Sequence, residues 1–422
     1  MLAVFCAGLP NATVAAQSPG PATNAVLALD EVLREVLASN PSLKAARANW
    51  EAMKERVPQA RAWEDLRGGF DTVAGRFVSI PPNSFTDQKL TVEQPVPLSG
   101  RNRLRGKAAE AEAAAAYGDY RRRELDVMAR ARTLYYRLAN AYEQLKINDR
   151  NSQLLERFVE ISRAKYEAGA KPESDVLIAE TDLAKLHEAR ADIQRRISDA
   201  ESQINVVMNR RAQAPLPRPA EMLPFTLALE LDPLQSLALT NRPELLMARK
   251  KIEAAEARLA AARREWIPDP SLRVETSRYN DASQAASEVM AGVSINFPWL
   301  NRRKYKAAIE EASQMKLSAE FELESAQKET LGLVRDAFQK VQTFHHHLEL
   351  FRDRIVPLAR QNVNATRLAY ETDKTGFLNL IDAQRTLQEV EGMYWNHLTE
   401  YLTGLAELEA VTGAELTQTQ RK

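Results

Sequence analysis

Cysteine is almost missing from this chain: Cys6 stands alone in 422 residues, which excludes a disulfide framework and a paired-cysteine metal site. Histidine is nearly as scarce, with five in all, so no His-rich metal centre is expected. Neither sign of charge is in excess, because 57 Lys and Arg balance 57 Asp and Glu. Without a basic surplus the chain lacks the footprint by which nucleic-acid binders displace counterions. No run of about 18 apolar residues occurs, so no helix is expected to cross a bilayer. No phosphate-cradling glycine loop, HExxH or nucleophile elbow is present. Catalysis has no candidate residues, and no cofactor is expected. Glycine is rare for the length, 15 residues, while Ala, Glu, Arg and Leu dominate the middle of each half. That composition favours long helices.

The first charge is Asp30. Residues 1–17 are small and apolar, and Thr13 to Gln17 resemble the end of an export signal, so residues 1–26 read as a signal-peptide remnant with a disordered tail. Cys6 is the one candidate lipidation position, although Phe5 is bulky where lipoprotein processing wants a small residue.

The chain contains itself twice. Leu27-Ala-Leu-Asp30 faces Leu229-Glu-Leu-Asp232, and Pro41-Ser-Leu43 faces Pro243-Glu-Leu245, at an offset of 202. Farther on, Arg163-x-x-Tyr166 answers Arg367-x-x-Tyr370 at an offset of 204. Such constancy means a tandem duplication. The copies are expected at 27–213 and 229–413, joined by a Pro-rich linker at 214–228 and followed by a tail at 414–422. Each copy reads as a short helix, two strands (about 70–78 and 88–95; about 271–279 and 288–297), a long helix (101–168; 302–372) and a returning helix (173–209; 377–411). At 1.5 Å per residue each long helix reaches roughly 100 Å. Pro357 should kink its helix or mark an end-to-end join. The returning helices repeat apolar residues three and four apart from Val176 to Val207 and from Leu380 to Val411, a coiled-coil seam. The outgoing helix carries two stripes, one with Leu134, Leu138 and Leu155, the other with Ile147 and Phe158. It should therefore have a neighbour on each side.

The strands discriminate between a coiled-coil rod and something else. Val289 to Phe297 alternates strictly, and Leu272, Val274 and Thr276 alternate with Arg273, Glu275 and Ser277. Leu90 and Val92 do the same in the first copy. The lengths suit a tilted transmembrane β-strand, and Phe70, Phe85, Tyr279, Phe297 and Trp299 lie near the ends, where an interfacial girdle would sit. Four strands cannot close in lipid, whereas a homotrimer would supply twelve. The expected fold is therefore mainly α with a small β part. Tandem-duplicated helical hairpins and four transmembrane strands would trimerise into a twelve-stranded β-barrel and an α-helical periplasmic barrel.

This duplicated unit resembles the TolC family of bacterial outer-membrane efflux proteins over residues 27–413. Gln94-Pro-Val-Pro97-Leu-Ser-Gly100-Arg101 and Asn296-Phe-Pro298-Trp-Leu-Asn-Arg302 are similar to the family's strand-to-helix junctions, where Pro97, Gly100 and Pro298 would swivel the chain from barrel to helix. The Ser-Gly-Arg-Asn-Arg junction looks like members serving heavy-metal or multidrug pumps of the resistance-nodulation-division class. The resemblance implies an outer-membrane exit duct with a long periplasmic extension, embedded in outer-membrane lipid. It would work with a periplasmic adaptor (membrane fusion protein) and an inner-membrane pump. It also implies a gate at the two helical turns. Asp175 matches a lock aspartate, Tyr370 a lock tyrosine and Asp382 a ring aspartate, while Thr375 and Asn379 replace the arginine and second ring aspartate of the best-known member. Arg163, Tyr166, Gly169, Lys171, Pro172, Arg367, Asp373, Lys374 and Gly376 would form the tip an adaptor meets. Three Asp382 side chains about a threefold axis would attract cations and repel one another; Asp175, three residues after Pro172, also suits a helix start through the dipole alone.

Consecutive helical residues point about 100° apart, so His345, His346 and His347 cannot jointly hold one metal ion, and His397 reads as a packed seam residue. The alternatives to a channel are a periplasmic adaptor, which would carry one hairpin and a lipoyl-like domain, and a soluble coiled-coil scaffold, for which the strands would be coincidence.

Overall fold

The computed structural model describes residues 26–72, 86–224, 229–280 and 285–416. The export-signal reading, Cys6 and Phe85 lie outside them, as do the far part of the first expected strand and the end of the tail.

The chain opens with helix α1 (Leu29–Ser39), whose Val32 and Val36 are buried. Asn40 then stops α1 and starts α2 (Pro41–Arg61): its side-chain oxygen accepts from the Ser42 and Leu43 N–H groups, and Pro41 occupies the first helical turn, where its missing N–H costs nothing. The second copy does this differently. Its α5 (Leu231–Asn241) and α6 (Pro243–Arg264) meet at Arg242, which makes no side-chain cap bond. Asn241, just before that junction, ends α5.

Strands β1 (Arg67–Thr72), β2 (Thr86–Pro95), β3 (Pro270–Asn280) and β4 (Ala285–Ile295) form one antiparallel sheet in chain order. The register places Phe70, Leu90, Thr276 and Val289 in one row and Val92, Val274 and Ala291 in another. Because side chains alternate across a strand, one face is apolar and the other polar. The apolar face is bare: Val289 is 71% exposed, Phe70 64% and Val293 64%. On the opposite face Lys89 pairs with Glu275 (2.7 Å) and Arg273 with Glu93 (3.1 Å). Among the described residues β1 and β4 each have a strand on one side only. The exposed, uncharged face is what water disfavours and lipid accepts, whereas the free edges still need partner strands.

Each strand pair leads into a long helix. Helix α3 runs unbroken over Arg101–Glu167, 67 residues. Gly118 lies inside it because α6 passes too close for a side chain: a Cβ there would stand 3.2 Å from the Pro243 carbonyl. The second copy is divided. After a 3₁₀ turn (Pro298–Asn301) come α7 (Arg302–Leu350), a π-helical turn (Phe351–Ile355) and α8 (Val356–Glu371). Pro357 sits in the first turn of α8, so the missing N–H falls at an end-to-end join and the π turn absorbs the mismatch. The return helices are α4 (Glu173–Val207) and α9 (Phe377–Thr412).

Helix α3 has neighbours on both sides, α4 on one and α9 on the other. One core joins Leu134 and Leu138 to Ile193, Ile197 and the N-terminal Val32 and Val36; a second joins Val334, Phe338 and Val341 to Leu398, Tyr401 and Leu405. Leu27 pairs in parallel with Pro219 of the linker, and the Tyr135 hydroxyl donates to the Leu27 carbonyl (2.9 Å). The linker is thereby tied back onto α3. No described helix is long and apolar enough to cross a membrane.

Candidate functional site

Two regions carry the sequence-predicted residues: the junction beneath the sheet and the tip of the hairpins. At the junction Gly100 caps α3 with φ +70°, a left-handed conformation that glycine adopts without strain. A Cβ there would also stand 2.8 Å from the Arg264 guanidinium. Ser99 is fully buried. Its N–H and hydroxyl both donate to Asp269 (2.7 and 2.9 Å), and Arg101 grips the same carboxylate (2.6 Å). Burial alone would raise the pKa of Asp269, but the Ser99 N–H, Arg101 and the Ser99 hydroxyl together hold it below the usual carboxylate value. Asp269 immediately precedes β3, so the knot fastens the first copy's exit from the sheet to the second copy's entry. Pro97 is half-buried within this turn. Pro298 is buried and opens the 3₁₀ turn, with Phe297 and Trp299 edge to face at 5.3 Å and both exposed.

At the tip both turns are built alike. Helix α3 ends with Gly169 at φ +68°, its N–H bonded to the Tyr166 carbonyl and the next N–H to Lys165. Helix α8 ends with Asp373 at φ +55°, its N–H bonded to Tyr370 and the next N–H to Ala369. These are the same left-handed helix stop, with aspartate tolerated where glycine is the usual choice.

The first copy clamps the second one's stop. Lys165 donates to the Tyr370 carbonyl (3.0 Å) and to Asp373 (3.0 Å), and lies 4.5 Å over the Tyr370 ring. Lys171 reaches Asp373 at 3.4 Å. Two ammonium groups therefore meet the negative end of α8. The hydrogen bond from Lys165, then that from Lys171, hold the Asp373 carboxyl below its ordinary range. Tyr370 is 1% exposed and packs on Phe377 at 5.4 Å. Around them Leu155, Phe158, Ala179 and Leu186 of the first copy meet Leu380 and Ile381 of the second in a single apolar core. Burial pushes the Tyr370 phenol up, Ser162 opposes this, and Asp175 and Asp373 add to it. Asp175 sits in the first turn of α4 and acts on Tyr370 through its field rather than through a direct bond.

Thr375 and Asn379 are partners: the Asn379 amide donates to the Thr375 hydroxyl at 2.9 Å. The two positions that depart from the resembled pattern thus form one neutral bond. Asp382 is exposed, with Arg385 at 3.4 Å. Arg163 pairs with Glu180 (2.6 Å), and Arg367 lies 3.9 Å from Glu371. Tyr166, Lys374 and Gly376 are exposed, and Pro172 precedes α4 in an extended conformation.

Sequence reasoning passed over an ion pair that ties the two returning helices together. Arg385 of α9 holds Asp182 of α4 through Nε (3.0 Å) and Nη2 (2.7 Å). The Asp182 side chain is 9% exposed and also meets Lys185 (3.1 Å). The available signal was an aspartate three residues after Ala179 and four before Leu186, a charge inside an apolar seam. Above it, α3 and α9 face each other through amides: Gln384 donates to Asn151 (2.7 Å), Gln144 to the Gly392 carbonyl (3.0 Å) and Asn140 to Asn396 (2.9 Å). Asn148 Oδ1, Asn151 Nδ2 and Gln384 Oε1 are buried without partners. Grooves of about 500 and 250 Å³ run along this seam, polar and roomy enough for water. Among the described residues no group of three or more His, Cys, Asp or Glu side chains gathers as for a metal ion.

A twin-hairpin chain with a lipid-compatible sheet at one end and a clamped tip at the other is the protomer of an outer-membrane channel. The chain belongs to the outer membrane efflux protein family, whose profile matches residues 32–210 and 234–414. The toluene efflux pump outer membrane protein TtgC of Pseudomonas putida is 24% identical over 383 residues, 85% of this chain and 77% of that protein. The cobalt-zinc-cadmium resistance protein CzcC of Cupriavidus metallidurans is 21% identical over 397 residues, 92% and 90% of the two chains. Among solved structures, the outer-membrane channel OprN superposes with a TM-score of 0.78 at 20% identity, covering 92% of this chain and 90% of that one.

Proposed function

We propose that this protein is the passive exit duct of a tripartite efflux system. Three copies close a twelve-stranded barrel in the outer membrane, and their hairpins form a periplasmic tunnel. A periplasmic adaptor meets the tip, and an inner-membrane pump, of the resistance-nodulation-division class, supplies the energy. The observation that carries this reading is the sheet, with its bare apolar face, ion-paired opposite face and two open edges. Four strands satisfy neither lipid nor their own edge groups; twelve satisfy both. The relatives are named for toluene efflux and for metal resistance, so the cargo class is small molecules or metal ions.

The chemistry is gating. Copy two's hairpin, α8 and α9, moves against copy one's along the seam of α3 and α9, where water can replace the amide bonds, while the ion pairs of Arg132 with Glu409 and Arg150 with Glu391 resist the movement. Lys165, Lys171 and Asp373 hold its end, and Arg385 with Asp182 holds its shaft. Asp175, Tyr370, Thr375, Asn379 and Asp382 belong to the same gate, and the exposed turn residues offer the adaptor its surface.

The test is extraction and mass. The full chain should resist high salt, leave the membrane with detergent, run as a trimer and conduct ions in a planar bilayer. A monomer released by salt would sink the duct and favour the scaffold.

A further inference from the structure

In the second copy, well above the tip, two histidines from different helices come together. His347 of α7 and His397 of α9 have ring centres 5.0 Å apart with planes at 60°. Both rings are half-buried. His347 Nδ1 is buried with no hydrogen-bond partner. Phe351, the first residue of the π turn, covers His397 at 4.8 Å, and Phe344 stands 6.4 Å from it. At an offset of 204 the first copy carries Glu143 and Ile193, and there α3 continues without a π turn.

Edge-to-face packing also brings rings to 4.5–7 Å, so the distance alone does not decide. Ring centres lie about 3.1 Å from a metal bound at ordinary imidazole distance, and two such rings at a tetrahedral angle stand about 5 Å apart. The orphaned Nδ1 adds a second observation: a buried imidazole nitrogen without a partner lacks a donor, an acceptor or a metal.

We infer that His347 and His397 form a two-imidazole site for a borderline divalent transition metal, Cu²⁺, Ni²⁺ or Zn²⁺, one per protomer, that staples α7 to α9 beside the π turn. Imidazole donors select these ions over Mg²⁺ and Ca²⁺. With no third protein ligand, water completes the coordination, so binding is reversible. His345 is turned toward Tyr401 (5.5 Å) and Glu349 (3.7 Å), and His346 is exposed; neither joins the site.

The experiment uses the full chain in detergent, purified without a polyhistidine tag and loaded with Cu²⁺ alone. Pulsed electron paramagnetic resonance should show two equatorial imidazoles on one copper per protomer. Ni²⁺ and Zn²⁺ in large excess should displace the copper, which binds imidazole more tightly than either, and Mg²⁺ in the same excess should not. His347→Gln and His397→Gln should each leave at most one imidazole and weaken binding at least about tenfold, the loss of one of two strong ligands; His346→Gln should change neither. One imidazole or none in the unaltered protein overturns the site, and that spectrum needs no variant to fold. So does a two-imidazole signal that survives His397→Gln or disappears in His346→Gln.

Discussion

Asp182 and Arg385 show how much a single pair of side chains holds. Asp182 is almost enclosed, so its charge is tolerable only because Arg385 offers two N–H groups and Lys185 a third contact. Arg385 itself is half exposed, which screens the pair. Arg385→Ala should therefore cost about 1–3 kcal/mol at the interface, below the value for a fully buried pair. The channel should open more readily, with higher single-channel conductance and an unchanged trimer. Arg385→Lys should fall between, because an ammonium keeps the charge but loses the fork. Conductance equal to that of the unaltered protein in Arg385→Ala would remove this pair from the gate.

Helices and turns explain why the two copies are not equivalent. The first copy's outgoing helix is one rod of 67 residues; the second's is two, joined at a π turn and Pro357. The irregular rod belongs to the hairpin that moves in the proposed gate. Its pairing with α9 runs past His397, which gives a pH dependence. The folded state disfavours the protonated ring because of burial and then His347. The unfolded chain consequently binds more protons below its own value of about 6.5, and stability is lost as pH falls through that range. With a chelator present, the unfolding temperature should drop between about pH 7.5 and pH 5.5, and less so in His397→Gln. Asp373 is likewise held below its ordinary value, but its range lies at lower pH. Its contribution is present above the ordinary carboxylate value of about 4 and lost only as pH falls below it, so the two effects separate on the pH axis.

For the whole molecule, the proposed threefold arrangement would turn small features into large ones. An exposed Asp382 with Arg385 at 3.4 Å is unremarkable in one chain; three of them around an axis would form a constriction that concentrates cations. Asp382→Ala should lower cation preference in a planar bilayer without changing the oligomer's mass. An unaltered reversal potential would take Asp382 out of the permeation path. The neutral Thr375–Asn379 bond leaves fewer charges at that level than the resembled pattern carries.

Much of this was written in local chemistry. The offset of 202 to 204 gave the duplication, the seams gave the return helices, and the alternation of Leu272, Val274 and Thr276 against Arg273 and Glu275 gave the sheet its two faces. These features depend on neighbours a few residues away, or on repetition, so periodicity displays them. What the sequence did not display depends on residues about 50 to 210 apart meeting in space. Asp182 finds Arg385, Lys165 finds the end of α8, Ser99 finds Asp269 and His347 finds His397. The duplication does not carry the helix cap either: Asn40 caps α2 with its side chain, while Arg242 at the equivalent place makes no such bond. The chain by itself determined which elements exist and which face of each is apolar, because those follow from helix and strand periods. Only the tertiary structure decided which charges and rings face one another across the two copies, because a one-residue slip in how two long helices pack would pair a different set.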